Sequence, residues 1–266
     1  MTTTVRWVVQ TNVSSEASED KLCRFLPSHG AIVHQFKLVP FDDSPLDIPD
    51  HEGPTVFYGS TSLMRRVKKE DRWTPGVWYD LGSSSFETLM RHYGEELLNH
   101  DSKVMTLDEF MDCQWANDLP LFVRPTLDTK SLTGKVRSFG EWKEHITASI
   151  GQRGGPEHST LIQVAMPKDV VDEWRVCIVN GIPVSASSYR VAGRFNQGGP
   201  VPAEMLNFAR HIARVYSPQP VFMLDIARLG DDTLKVIETN CMNCAGFYWM
   251  DVYEIAQAVT DYVRNG

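Results

Sequence analysis

Cysteine is scarce in this 266-residue chain: Cys23, Cys113, Cys177, Cys241 and Cys244, five in all. An odd number at scattered spacing excludes the disulfide framework of a small secreted domain. A reducing, cytoplasmic setting is the expectation. Cys241 and Cys244 form a CxxC pair, but no second pair completes a four-ligand zinc site, so packing is their default role. No apolar run approaches the roughly 18 residues that a membrane span needs. Residues 1–11 lack the basic flank and long apolar stretch of a signal peptide. Positive charge is short as well, with 26 Lys and Arg against 34 Asp and Glu and a net charge of -8. That balance speaks against broad, charge-driven nucleic-acid binding, while leaving room for a local basic cleft. Internal repeats, low-complexity tracts and the Walker pattern GxxxxGK[ST] are absent too.

What is there suffices for a folded enzyme-sized unit, since hydrophobic residues make up 42% and charged residues 23%. The first hundred residues alternate strand and helix, with strands expected at 5–10, 31–39, 55–58 and 77–81. Helices are expected at 16–25, 62–70 and 86–98. Such alternation predicts a small parallel α/β layer. The prolines at 40, 45, 49 and 54 mark a loop between the second and third strands. Two capping boxes, Thr106 with Glu109 and Ser138 with Glu141, mark helix starts.

The second half has a different character. Short apolar strands are expected at 121–123 and 161–165. Strands at 175–179 and 182–187 flank Asn180–Gly181, a type I′ hairpin signal. A helix follows at 203–215. Strands at 221–226 and 234–238 flank a second turn at 230–232. An amphipathic helix at 253–263, with Ile255, Val259 and Val263 on one face, closes the pattern. Antiparallel hairpins with packed helices predict an α+β half.

The residues able to do chemistry fall in this second half. Glu238 and Asn240 are two apart, so in a strand they share a face. Asp225, on the hairpin partner, can approach them. Three oxygen-bearing side chains then converge, as magnesium prefers; an exposed sheet face with scattered polar groups is the competing reading. Upstream, Arg124 ends a strand. A loop with Lys130, Thr133, Gly134 and Lys135 follows and can cover phosphates with amides and ammonium charge; solvated lysines are the plainer account. Arg175 has a planar fork suited to phosphate or acyl-phosphate oxygens, or to a surface ion pair. The polar stretch 187–199 can line an acceptor pocket, with Arg190 or Arg194 pairing a carboxylate, or be a plain surface loop.

In order, these pieces are Val123-Arg124-Pro125, Lys130 to Gly134, Gln163 to Ala165, Glu173 to Arg175, and Asp225 with Glu238-Thr239-Asn240. The series resembles the ATP-grasp superfamily, and the strings FVRP, KSLTG and ETNCMNCAGFY look most like a clade common in bacterial and viral genomes. The resemblance covers roughly residues 104 to 250. It implies an ATP-grasp fold of α+β and α/β parts, with residues 1–103 as an N-terminal α/β pre-grasp lobe and 104–266 as the ATP-grasp domain. It implies ATP and Mg2+ as cofactors, with the metal on Asp225, Glu238 and Asn240. Arg124, Lys130, Gly134 and Glu173 would meet the nucleotide, and Gln163, Val164 and Ala165 would offer backbone groups to adenine. Arg124 stands where many relatives carry a lysine, which retains charge and changes geometry. Arg175 and Lys130 would act in catalysis. The expected activity is ligation of a small-molecule or peptide carboxylate to an amine through an acyl-phosphate. A phosphotransferase on the same fold, or a nucleotide-binding regulatory module without turnover, is the alternative.

Overall fold

Three sheets organise the described residues. The computed structural model describes residues 4–13, 18–40, 42, 44–191, 194–195 and 198–266. The first sheet is parallel, in the order β2-β1-β3-β4, with β1 at Arg6–Gln10, β2 at Ile32–Phe36, β3 at Thr55–Tyr58 and β4 at Pro75–Gly76. Every residue of β1 and β3 is buried, as in strands covered on both faces. Trp7, Val9 and Val56 pack with α1 (Ser18–Phe25) and α7 (Val252–Asn265), through Leu22, Ile255 and Val259. Val8 and Phe57 pack with α2 (Thr61–Glu70), through Leu63 and Met64. Trp7 Nε1 donates to Thr260 Oγ1 at 3.1 Å, which ties the first strand to the last helix.

Two expectations fail in this region. No strand runs over 77–81: only Pro75–Gly76 pairs with β3. The chain then leaves the ladder, because the Trp78 amide donates at 2.8 Å to the side chain of Asn243 instead. The apolar pattern there marks a packed loop. The helix expected over 86–98 ends early, as α3 (Phe86–Tyr93). Gly94 takes a φ of 52°, which glycine adopts without steric cost, and a short 3-10 turn follows.

The second sheet is antiparallel, in the order β5-β8-β6-β7, from β5 (Lys103–Thr106), β6 (Pro120–Pro125), β7 (Lys135–Ser138) and β8 (Leu161–Ala165). Along β6 Leu121 and Val123 point inward, against α4 (Leu107–Met111) and α5 (Phe139–Ser149). Phe122 and Arg124 therefore face the other way. Both capping boxes form: Thr106 and Ser138 each accept from the amide three residues on, and Glu109 and Glu141 bond back. Ser138→Ala is expected to lower the unfolding free energy by about 1 kcal/mol. It should appear as a lower urea midpoint with unchanged slope; an unmoved midpoint would deny the cap any role.

The third sheet is antiparallel too, in the order β11-β10-β9-β12-β13. Its strands are β9 (Val170–Val179), β10 (Ile182–Val191), β11 (Arg194–Phe195), β12 (Val221–Leu229) and β13 (Leu234–Cys241). Asn180 and Gly181 have φ of 49° and 75°, the left-handed pair that a type I′ turn requires. Trp174, Val176, Ile178, Phe222 and Leu224 pack under α3 and α6 (Ala203–Val215). On the opposite face Cys177, Val179, Val221 and Met223 meet the first sheet and α7. This cluster therefore draws on residues from both sides of position 103. Among the described residues no helix is long and apolar enough to cross a membrane.

Candidate functional site

The polar residues of the third sheet are gathered by strand register. Asp225 sits opposite Arg175 on β9 and opposite Glu238 on β13. Asn240 is two residues beyond Glu238, so it shares that face. The pairing slips just after Asp225, between β12 and β13, as at a bulge, which re-aims a strand beside a site.

Opposite charges are matched there. Arg175 holds Asp225 with both arms of its fork, Nε to Oδ1 at 2.8 Å and Nη2 to Oδ2 at 2.7 Å. Its remaining nitrogen donates to the Gly246 carbonyl at 3.3 Å. Arg124 reaches across from the second sheet and pairs with Glu238. The Asn240 amide donates to Glu238 Oε1 at 2.9 Å and to Asp225 Oδ2 at 3.2 Å. Burial pushes the Asp225 carboxyl up to about 6 in spite of Arg175. For Glu238 burial is outweighed by Arg124 and the Asn240 amide, which hold it down to about 2. Of two carboxyls facing each other, Asp225 thus takes a proton first.

The cluster lies at the junction of two cavities. A cleft of about 800 Å³ opens between the second and third sheets, lined by Phe122, Arg124, Gly134, Lys168, Glu173 and Glu238 among others. A smaller cavity of about 240 Å³ adjoins it, with Arg175, Asn240, Tyr248, Trp78, Cys241 and Cys244 on its walls. Asp128, Lys130 and Glu238 line both. The first sheet's trailing loop, Trp78 to Leu81, forms one side of the smaller cavity.

The expected site residues fare unevenly. Arg124, Asp225, Glu238, Asn240 and Arg175 come together. Lys130 stands at the junction, ion-paired with Asp128 at 2.7 Å and with its side chain 64% exposed. Gly134 lies so close to Arg124 that an added Cβ would come within 3.0 Å of the arginine's own Cβ. Glu173 is on the cleft wall, paired with Arg190 at 2.7 Å.

Gln163, Val164 and Ala165 do not reach the cleft. β8 lies between β5 and β6 in the ladder, with Gln163 and Val164 paired on both sides and Ala165 on one. All three are buried. The chain enters the cleft a few residues later, at Lys168 and Val170. Asn196 and Gln197 of the polar stretch lie outside the described residues. Among the described residues, no group of three or more His, Cys, Asp and Glu side chains is placed to hold a metal ion. The three-oxygen set consists of two carboxylates and one amide.

Sequence reasoning missed Tyr248 and Asn243. Tyr248 takes a φ of 51°, uncommon for a bulky residue. Its ring lies 4.8 Å under the Arg175 guanidinium and stacks on Tyr189 with centroids 5.4 Å apart. Asn243 is fully buried, accepts from the Trp78 amide, and donates to the Phe57 carbonyl at 2.7 Å. Its own carbonyl accepts from the Gly59 amide at 2.8 Å. The only available signal was their place in an asparagine- and glycine-containing string directly after Glu238-Thr239-Asn240.

Comparison with known proteins identifies the family and the fold. A family described as an ATP-grasp domain, family 3 of its clade, matches residues 44–261. A RimK-domain ATP-grasp protein from Sphaerobacter thermophilus is similar in structure, with a TM-score of 0.63 and 12% identity over 96% of this chain and 98% of that one. D-alanine–D-alanine ligase from Bacillus anthracis, solved with ATP, has a TM-score of 0.64 and 14% identity over 99% and 96% of the two chains. The ATP-grasp ligase PsnB, solved with a minimal precursor, Mg and ADP, has a TM-score of 0.56 and 12% identity over 98% of each. At these identities the likeness is one of fold. No curated protein sequence matches the chain.

Proposed function

Because the chain belongs to this clade family of ATP-grasp domains, we propose that it is an ATP- and magnesium-dependent ligase joining a carboxylate to an amine. One observation carries this reading. The Arg124, Glu238, Asn240, Asp225 and Arg175 cluster stands where a larger cleft meets a smaller one. A single-substrate binder has no use for two adjoining cavities with one charged wall in common.

The donor set fits the metal. Asp225, Glu238 and Asn240 offer hard oxygen, and magnesium is held by few carboxylates together with phosphate oxygens. Two arginines already balance the two carboxylates, so the cluster is ready to trade arginine for cation and carboxylate for phosphate. When bound, magnesium-ATP supplies the phosphoryl group and a cation that offsets its charge. In this reading the larger cleft takes the nucleotide, with Arg124 and Lys130 toward its phosphates. Lys168 lines this cleft a few residues beyond 163–165, the stretch expected to offer backbone groups to adenine. Residues up to 103 form the pre-grasp lobe that walls the smaller cavity.

The carboxylate enters the smaller cavity beside Arg175 and Lys130. Its oxygen bonds to phosphorus, ADP leaves, and an amine then displaces phosphate to leave an amide. These residues contribute chiefly by positioning and by neutralising charge. Small molecules and peptides are both admissible acceptors; D-alanine–D-alanine ligase and PsnB, with its precursor, stand for the two kinds among the similar folds.

The test has two parts. Replacing Glu238→Gln together with Asn240→Ala is expected to abolish magnesium-dependent nucleotide binding by calorimetry. Unchanged binding would remove the metal assignment. Mass analysis of products formed from ATP and a panel of carboxylates and amines separates ligation from phosphotransfer, since a phosphorylated hydroxyl in place of an amide contradicts the reading.

A further inference from the structure

Two thiols on the wall of the smaller cavity take no part in the proposed reaction. Cys241 is the last residue of β13, and Cys244 ends the 3-10 turn Met242–Cys244 that follows. Both are partly exposed and both line the cavity. Cys241 is the extended N-cap of this turn, so the two cysteines stand at its two ends, three residues apart. The thiols are hydrogen-bonded to each other. Cys244 Sγ also lies 3.9 Å from the Cys241 carbonyl oxygen.

The surroundings distinguish the two sulfurs. Cys241 Sγ lies 3.5 Å from the buried Asn243 Oδ1. The hydrogen bond from Cys241, then the Thr61 hydroxyl and the Lys130 ammonium, bring the Cys244 thiol below its ordinary value against the pull of burial. The turn itself is fixed to the first sheet through Asn243, so both thiols are held on one anchored turn of the cavity wall. No other cysteines are arranged in this way. Cys177 is buried in the core, and Cys23 and Cys113 stand on separate elements.

The geometry points to a peroxide-reactive dithiol, in which Cys241 and Cys244 close to a reversible disulfide on the cavity wall. Cys244 acts as the attacking thiolate. Its sulfur bonds to one oxygen of hydrogen peroxide, the O–O bond breaks, and the departing hydroxide takes a proton and leaves as water. The Cys244 sulfenic acid so formed is attacked by the Cys241 sulfur. An S–S bond forms, the S–O bond breaks, and the hydroxide leaves as a second water with the Cys241 proton. Two thiols lose two electrons in total, and the peroxide is reduced to two waters. The bond would brace the turn between Asn240 and Gly246, whose carbonyl receives the Arg175 guanidinium. Nothing in this step depends on the reaction proposed above.

The experiment treats the full reduced chain with hydrogen peroxide, traps free thiols and maps the cysteines by peptide mass. The expected result is an intrachain bond on the peptide holding residues 241 and 244, reversed by dithiothreitol, formed at least about tenfold faster than Cys23 or Cys113 react. Cys241→Ser should leave a sulfenic acid on Cys244 that dimedone captures. If the pair stays reduced at doses that oxidise Cys113, or pairs between chains instead, the dithiol is overturned. Faster sulfenic acid formation on Cys241 in Cys244→Ser than on Cys244 in Cys241→Ser overturns the assigned order of attack. Wild-type chain alone decides the first question, so a poorly folding variant leaves the test intact.

Discussion

Arg175→Met is expected to lower the unfolding free energy by about 3–5 kcal/mol, the cost of leaving one partner of a buried ion pair alone. Arg175 is 9% exposed and Asp225 1%, and both nitrogen–oxygen contacts of the fork are short. Removing the guanidinium strands a carboxyl that burial already pushes up to about 6. The sign of the pH dependence follows. A raised folded-state value means that the folded protein holds the proton more tightly than the unfolded chain does, so the penalty is carried by the ionised form. The deficit should be largest at about pH 8, shrink as pH falls toward the wild-type folded value of about 6, and level off below it, where Asp225 is protonated in both folded proteins.

Urea unfolding of the variant against wild type across that range provides the measurement. Arg175→Met combined with Asp225→Asn should recover much of the loss, because the lone charge is then gone. Equal deficits at every pH, or strict additivity in the double variant, would mean that the pair is not what holds this part of the sheet. Arg175→Lys keeps the charge and loses the fork. In the proposed reaction it should lower turnover by about a hundredfold or more, as loss of one well-placed donor does, with ATP affinity much less affected.

Asn243→Ala is expected to be nearly as costly. The side chain accepts from the Trp78 amide at 2.8 Å and donates to the Phe57 carbonyl at 2.7 Å, with no exposure to solvent. Alanine leaves a buried donor and a buried acceptor unmet, at about 1–3 kcal/mol each, so a loss of roughly 2–5 kcal/mol should result. The Trp78 amide should also exchange faster with solvent hydrogen, since it belongs to no ladder. Asn243→Asp makes a sharper comparison: it keeps the acceptor for Trp78 and places a carboxylate against the Phe57 carbonyl. An unaltered urea midpoint for Asn243→Ala would refute the role of this amide in joining the turn after β13 to the first sheet.

What could be read in the sequence was set by local chemistry. The two capping boxes start α4 and α5 where expected, because a cap is decided within four residues. Asn180–Gly181 makes its hairpin for the same reason, and α6 spans 203–215 as its pattern predicts. Glu238 and Asn240 share a face because strand period requires it. What was not legible depended on partners distant in the chain. Residues 77–81 have the pattern of a strand and none of the pairing, since Asn243, 165 residues from Trp78, takes its amide. Residues 161–165 form the strand that their pattern predicts, yet nothing in that pattern shows that β5 and β6 flank it and take up its backbone groups. The arginine that neutralises Glu238 comes from a different sheet, 114 residues away, and spacing gives no hint of it.

The bond between Trp7 and Thr260 joins residues 253 apart, and this has a consequence for synthesis. β1 leaves the ribosome long before α7 exists. At about 5–20 residues per second, the interval is on the order of tens of seconds. Through that time Trp7, Val9 and Val56 have no Ile255 or Val259 to cover them. The first sheet can pair its strands early and still be unable to close one of its faces. Its completion waits on the 14-residue helix α7, so an early-made sheet is among the later parts to become stable, and the nascent chain carries an open apolar face for a chaperone to shield until α7 emerges.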